Sequence, residues 1–182
     1  MAWWKRVLDV QAPYRWHLRR LHLGFTLDIG CGIGRNLVNL DGRAVGVDHN
    51  AESVAIAVDR GLTAFTPDEF SRSRFSSHET FDSLLMAHVI EHLSRPDALE
   101  LLRAYMPYVR SHGKVVLITP QERGFRSDPS HVEFVDFDSL EAICNEIGLT
   151  VQRSYSFPFP RVFGKLFTYN EFVLVATPDH PR

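Results

Sequence analysis

A short apolar run, Phe25-Thr-Leu-Asp-Ile29, breaks into Gly30-Cys-Gly-Ile-Gly34 and passes at once into Arg35-Asn-Leu-Val-Asn-Leu40. The first run reads as a strand, the glycines as a tight turn and the last stretch as a short helix. A strand, glycine turn and helix in that order belongs to α/β architecture if the pattern repeats. It does: residues 44–48 form a buried strand, 52–59 a helix ended by Gly61, and 62–65 a third strand. Such alternation implies a parallel sheet.

Residues 81–87 make a fourth strand, 96–109 a helix with Pro at its start, and 114–119 a fifth strand. A loop then runs to Asp136, followed by a helix over 139–147 closed by Gly148 and by strands near 149–157 and 172–177. The segment 155–169, with Pro158 and Pro160, is too short and too Pro-rich for a full crossover helix, so the final strand is expected to run antiparallel. The expected fold class is α/β: a doubly wound, Rossmann-like sheet of seven strands with the last antiparallel and helices on both faces. Ahead of it, Trp4, Val7, Leu8, Trp16, Leu18, Leu21 and Leu23 recur at roughly helical spacing, interrupted by Pro13. Residues 1–24 are therefore read as a helical lid segment of two short helices, and 25–182 as one domain.

At 182 residues the chain suits a single core. Net charge is −2 with acids and bases interspersed, so no broad positive face offers itself to phosphate backbones, and nucleic acid is a poor substrate. Cys31 and Cys144 belong to no disulfide framework and no CxxC or Cys/His pair of metal-ligand spacing, which points to a reducing compartment. Lys5, Arg6 and Asp9 interrupt the first ten residues, so a signal peptide or membrane span is not expected there; the expected location is the cytoplasm.

Leu27-Asp-Ile-Gly-Cys-Gly-Ile-Gly34 resembles the first motif of the class I S-adenosylmethionine-dependent methyltransferases, an acidic residue followed by GxGxG. A nicotinamide fingerprint, GxGxxG, would want glycine where Arg35 stands. Glycines remove Cβ atoms where a ligand approaches the backbone. The resemblance implies S-adenosyl-L-methionine as cofactor, resting on the turn Gly30, Cys31, Gly32 and Gly34, with Asp28 orienting the methionyl ammonium. The alternative for Asp28 is a simple turn cap. Asp48, ending the second strand, takes the place of the acid that accepts from the ribose hydroxyls, and His49 either flanks the adenine or is a solvated loop residue. Phe65 is a candidate to stack on adenine and Asp68 to accept from its amino group, although Phe65-Thr-Pro-Asp-Glu69 departs from the family's Gly-Asp-Ala.

Phe81-Asp-Ser-Leu-Leu-Met-Ala-His-Val-Ile-Glu-His-Leu93 resembles the family's fourth-strand segment. It implies that Ala87 and His88 sit beside the sulfonium. His88 is also a candidate general base, because imidazole titrates near neutral pH; packing on the donor is the alternative. Glu91 and His92 are read as ties between the helix and a neighbouring loop. Asp128-Pro-Ser-His131-Val-Glu-Phe resembles the stretch before the final helix in type 11 and type 12 methyltransferases, which makes His131 the second base candidate. The implied reaction is an in-line displacement that rests on positioning and demands no metal.

The preferred acceptor is a small molecule, sugar or lipid-linked glycan methylated on oxygen, since the chain lacks the Asn/Asp-Pro-Pro-Tyr/Trp signature of exocyclic amino methylation. Aromatic residues in the N-terminal segment and in 154–170 suit an apolar or sugar-bearing acceptor; sealing the sheet edge or forming a homodimer contact are the other uses. The rival functions are a donor-binding partner without catalysis and a nicotinamide-dependent oxidoreductase.

Overall fold

Successive residues of the central strands point to opposite sides, and both sides are apolar. The computed structural model describes residues 12–179. Its strands are β1 (Thr26–Ile29), β2 (Ala44–Val47), β3 (Ala64–Phe65), β4 (Phe81–Ala87), β5 (Val109–Pro120), β6 (Leu149–Phe157) and β7 (Glu171–Pro178). Its helices are α1 (Ala12–Arg20), α2 (Arg35–Asn39), α3 (Ala51–Asp59), α4 (Pro67–Ser71), α5 (Arg95–Tyr105), α6 (Glu122–Phe125) and α7 (Phe137–Glu146).

The strands form one sheet in the order β3-β2-β1-β4-β5-β7-β6. The first five are parallel; β7 runs antiparallel to both β5 and β6, as the short connection before it requires. On one face, Leu84, Met86, Val115, Leu117, Phe172 and Leu174 pack with Phe70 of α4, Leu99 and Leu102 of α5, and Leu140 and Ile143 of α7. On the other, Leu85, Ala87, Val116, Ile118 and Val173 pack with Leu18 of α1, Leu37 of α2, and Val54 and Ala57 of α3.

Several boundaries differ from the sequence reading for local reasons. The helix expected over 96–109 ends at Tyr105 because Pro107 follows in a 3-10 turn, Met106–Tyr108. The fifth strand begins early because Val109 pairs with Phe81 ahead of a register shift to Lys114 opposite Ser83. The third strand keeps two residues at its end, since Leu62 N still donates to the Ala57 carbonyl of α3; beyond it Thr66 and Glu69 make a reciprocal capping box that starts α4, a helix the periodicity did not announce. Pro13 stands in the first turn of α1, where a missing N–H is harmless, rather than interrupting a helix. The earlier of the two expected N-terminal helices lies outside the described residues.

Helix α1 is part of the packed structure. His17 stacks on Phe157 with ring centroids 4.0 Å apart, and its Nε2 is 2.7 Å from the Tyr155 hydroxyl. Burial, with Arg153 nearby, lowers the His17 pKa to about 4, so it packs as a neutral ring. The β6–β7 connection is strapped down by Asn170, which is fully buried: its Nδ2 donates to Gln121 Oε1 at 2.9 Å and its Oδ1 accepts from Phe159 N at 2.9 Å. Asn170→Ala is expected to destabilise the chain by about 1–3 kcal/mol for each polar group left unpaired. Urea unfolding checks the loss, and limited proteolysis should find new cleavage within 158–170.

Candidate functional site

From β1 the chain moves outward through β2 and β3, then returns to β4 on the other flank of β1. The crevice beyond the carboxyl ends of β1 and β4 is therefore the switch point, where an open α/β sheet can admit a ligand. Because β7 is reversed, its first residue, Glu171, lies opposite Pro120 at that same edge.

The glycines of the turn do different jobs. All three have positive φ. A Cβ on Gly30 would stand 2.3 Å from Val89 Cγ2, and one on Gly34 2.3 Å from Leu62 Cδ1, so these two are cleared for the protein's own packing. A Cβ on Gly32 meets nothing within 4 Å, and only there does the absent side chain open space outward. Cys31 turns inward: a Cβ on Gly46 would lie 2.5 Å from its Sγ. Burial, with Asp28 and Asp48 adding, raises the thiol pKa, so Cys31 offers a ligand only its backbone.

Asp28 is fully buried; Asn36 Nδ2 donates to its Oδ1 at 3.2 Å, and its Oδ2 has no partner. Burial raises the Asp28 pKa from 3.8 to about 7, against the Asn36 hydrogen bond, with the charge of Asp48 adding to the rise. Asp48 is held from both sides: Gly32 N donates to Oδ2 at 2.7 Å and Asn50 N to Oδ1 at 2.9 Å. Each oxygen keeps a second lone pair for a hydroxyl donor. His49 is exposed, its Nδ1 3.6 Å from Asp48 Oδ1.

Ala87 ends β4, buried, and His88 follows with φ 60°, a left-handed conformation unusual for a residue with a side chain. Its Nδ1 is 3.2 Å from Glu91 Oε1 and its Nε2 2.8 Å from Glu171 Oε1. Desolvation pulls the ring's pKa down, but hydrogen bonds to Glu171 and Glu91 and their charges carry it up to about 10. His88 is thus an imidazolium donating from both nitrogens. A general base needs a free lone pair near pH 7, so the geometry favours an orienting role for His88 over the base role read from the sequence.

Phe65 is half-buried and packs toward the core, 5.9 Å from the Phe75 ring. Asp68 sits exposed in the first turn of α4, where its carbonyl accepts from Ser71 Oγ and Arg72 Nε. The structure thus puts the Phe65–Asp68 stretch at a capped helix start. His131 Nδ1 is 2.7 Å from the Phe125 carbonyl, and its ring stacks on Phe125 and lies 4.7 Å from His92. The tie expected of Glu91 and His92 is present: the Glu91 carbonyl accepts from Val132 N and Glu133 N, and His92 Nδ1 is 3.2 Å from the Ser130 carbonyl.

Sequence reasoning missed Glu171 and Asn36, and it grouped Tyr14 only with the N-terminal aromatics. Burial, then the charges of Glu171 and Asp28, offset by Arg35 and reinforced by Glu91, hold the Tyr14 hydroxyl well above its ordinary pKa, so α1 brings Tyr14 among these acids. The signal available for Glu171 was the reversed strand, whose start must meet the carboxyl edge.

A family model described as "Methyltransferase domain" matches residues 22–154, and the chain belongs to that family. No curated protein matches it in sequence. Among solved structures, it resembles a SAM-dependent methyltransferase from Archaeoglobus fulgidus (19% identity, 96% of this chain and 97% of that one, TM-score 0.71). It also resembles a SAM-dependent methyltransferase from Methanosarcina mazei (14% identity, 86% and 92%, TM-score 0.64). A third is magnesium protoporphyrin IX methyltransferase from Synechocystis with bound SAH (13% identity, 94% and 86%, TM-score 0.64). The fold is the Rossmann-like methyltransferase fold, and the cofactor that goes with it is S-adenosyl-L-methionine. The residues suit such a ligand: a buried carboxylate oxygen without a partner faces the need of an ammonium, and the turn is open at Gly32. No helix among the described residues is long and apolar enough to cross a membrane.

Asp28 makes stability depend on pH. Its folded-state pKa is raised, so the stabilisation is complete below about pH 4 and is lost as pH rises through about 7. Asp28→Asn keeps the Asn36 contact and removes that loss. Without ligand, the variant should be more stable at pH 8 by up to about 4 kcal/mol and converge with the wild type near pH 4. Urea unfolding at both pH values checks it; equal stability at pH 8 would contradict the unpaired buried charge.

Proposed function

We propose that this chain transfers the methyl group of S-adenosylmethionine to a hydroxyl oxygen of a small-molecule, sugar or lipid-linked acceptor. The observation that carries the reading is the set of buried carboxylate oxygens without partners at the carboxyl edge of the sheet: Asp28 Oδ2 beside the glycine turn, Glu91 Oε2 after β4 and Glu171 Oε2 at the start of β7. When bound, the cofactor supplies an electrophilic methyl group on a sulfonium. Asp28 would accept from the methionyl ammonium and Asp48 from the ribose hydroxyls, with the backbone of Gly30, Cys31, Gly32, Gly34 and Ala87 closing around them. His49, Phe65 and Asp68 form the adenine side of this proposal, Phe65 by its edge and Asp68 by a small shift of the first turn of α4.

On the acceptor side, His88 donates from a fixed imidazolium and His131 orients from the loop. Glu171 Oε2 receives the hydroxyl proton as the new O–C bond forms and the S–C bond breaks. Tyr14 and the rest of α1 act as the lid. A lipid-linked or apolar acceptor is supported by the exposed Phe159, Val162, Phe163, Leu166 and Tyr169. A homodimer through the same strip is the competing use, and light scattering separates the two. The buried, unpaired Cys31 and Cys144 support a reducing compartment such as the cytoplasm.

Calorimetry with S-adenosylhomocysteine tests the donor half without an acceptor. Wild type should bind at micromolar Kd, Asp48→Ala at least tenfold more weakly, and NADH not at all. Binding should strengthen from pH 6 to pH 8 as Asp28 ionises, and Asp28→Asn should abolish that dependence. Binding that is independent of both aspartates counts against the reading. For the acceptor half, Glu171→Gln should lower kcat by about 10²- to 10⁴-fold with little change in homocysteine-compound affinity. Unchanged kcat removes Glu171 from the mechanism.

A further inference from the structure

Glu91 and His92 end the 3-10 turn Ile90–His92 after β4, and His131 lies in the loop that leads to α7. One ligating atom from each of the three side chains lies within 4.8 Å of the others. The two imidazoles are already oriented. His92 Nδ1 is 3.2 Å from the Ser130 carbonyl and 3.2 Å from Ser130 Oγ, whose own proton goes to Asp128 Oδ1. His131 Nδ1 is 2.7 Å from the Phe125 carbonyl. These partners only accept, so each Nδ1 carries the proton and each Nε2 is left with its lone pair. Metal-ligating histidines are held in just this way, by a carbonyl or carboxylate on the other nitrogen.

The third group supplies an independent sign. Glu91 is 0% exposed; Oε1 is committed to His88, and Oε2 is buried without a partner. A carboxylate oxygen left unpaired in the interior is unfavourable, and a cation beside two imidazole lone pairs removes that penalty. The loop carrying His131 is pinned to the turn by Val132 N and Glu133 N, which donate to the Glu91 carbonyl at 2.7 and 3.2 Å.

We infer that Glu91, His92 and His131 form a binding site for one divalent transition-metal ion of the zinc class. Two nitrogens and one carboxylate suit Zn²⁺, Co²⁺ or Fe²⁺, whereas Mg²⁺ and Ca²⁺ prefer all-oxygen sets. Bonds of about 2.0–2.2 Å in a tetrahedron put ligand atoms about 3.4 Å apart, so each side chain moves inward by less than about 1 Å. Three protein ligands leave a coordination position free for water or an acceptor oxygen. The ion clamps the turn to the loop and shares Glu91 with His88. The site rests on these three side chains and their partners, not on the acceptor proposed above.

The test uses the full chain after dialysis against EDTA. Co²⁺ is titrated by visible absorption and Zn²⁺ by calorimetry, with S-adenosylhomocysteine binding as the control for folding. Wild type should take up one equivalent at micromolar Kd or tighter, and millimolar Mg²⁺ should not displace it. His92→Ala and His131→Ala, both at half-buried positions, should each weaken uptake at least tenfold while still binding the homocysteine compound. Absence of uptake by wild type, or wild-type affinity in either variant, overturns the site. Failure of wild type to bind the homocysteine compound would count against the methyl-donor reading and leaves the Co²⁺ result to stand by itself.

Discussion

Asp28 and Glu91 are completely buried and Asp48 and Glu171 nearly so, all gathered at one edge of an apolar sheet. Desolvation opposes every one of these charges, and His88 is the one cation hydrogen-bonded to any of them among the described residues. The molecule tolerates the arrangement because two continuous apolar layers, one on each face, supply stability elsewhere. The unfavourable electrostatics are thus concentrated where a cationic ligand can relieve them, and the partnerless oxygens of Asp28, Glu91 and Glu171 mark the places. Such an arrangement favours a positively charged ligand over an empty cleft.

His88 sits at the centre of this field in a strained backbone conformation, which for a non-glycine residue costs about 1–3 kcal/mol. Three contacts hold it: its N–H donates to the Ile118 carbonyl at 2.9 Å, and its ring is gripped by Glu91 and Glu171. Strain that is fixed from three directions gives a rigid donor at a defined point beyond β4. That geometry suits positioning better than proton abstraction, because both ring nitrogens are engaged and no lone pair is on offer.

The fold was legible because its signals are local. Glycines 30, 32 and 34, the branched residues of the central strands and the Pro-rich connection before β7 each dictate nearby backbone, and together they specify a parallel sheet with a reversed strand. The candidate site was legible where a motif singled out residues that the structure brings to the carboxyl edge, Asp28, Asp48 and Ala87-His88. It was not legible where partners are distant in sequence. Glu171 meets His88 from 83 residues away, and nothing in the run Asn170-Glu-Phe-Val-Leu distinguishes that acid from a strand-start residue. The segment 65–69 departs from the family's Gly-Asp-Ala for a local reason: Thr66 and Glu69 form a capping box that begins α4. Burial of an individual carboxylate, which decides its charge, cannot be read from a pattern at all.

Glu91 shows how far a single buried residue can reach. Its Oε1 grips His88, its carbonyl anchors the loop through Val132 and Glu133, its Oε2 has no hydrogen-bond partner, and its carboxylate lies within ligating reach of His92 and His131. Read from sequence, the Glu-His pair is a structural tie, and the tie is real. The same tie also means that whatever occupies the Glu91–His92–His131 cluster fixes the orientation of the carboxylate that holds His88. An ion held by this carboxylate and His131 would stiffen the loop and the imidazolium together, because the loop reaches the ion through His131 and the imidazolium is gripped by the same carboxylate. Coupling of this kind needs no conformational switch, only a fully buried carboxylate whose two oxygens serve two neighbouring sites.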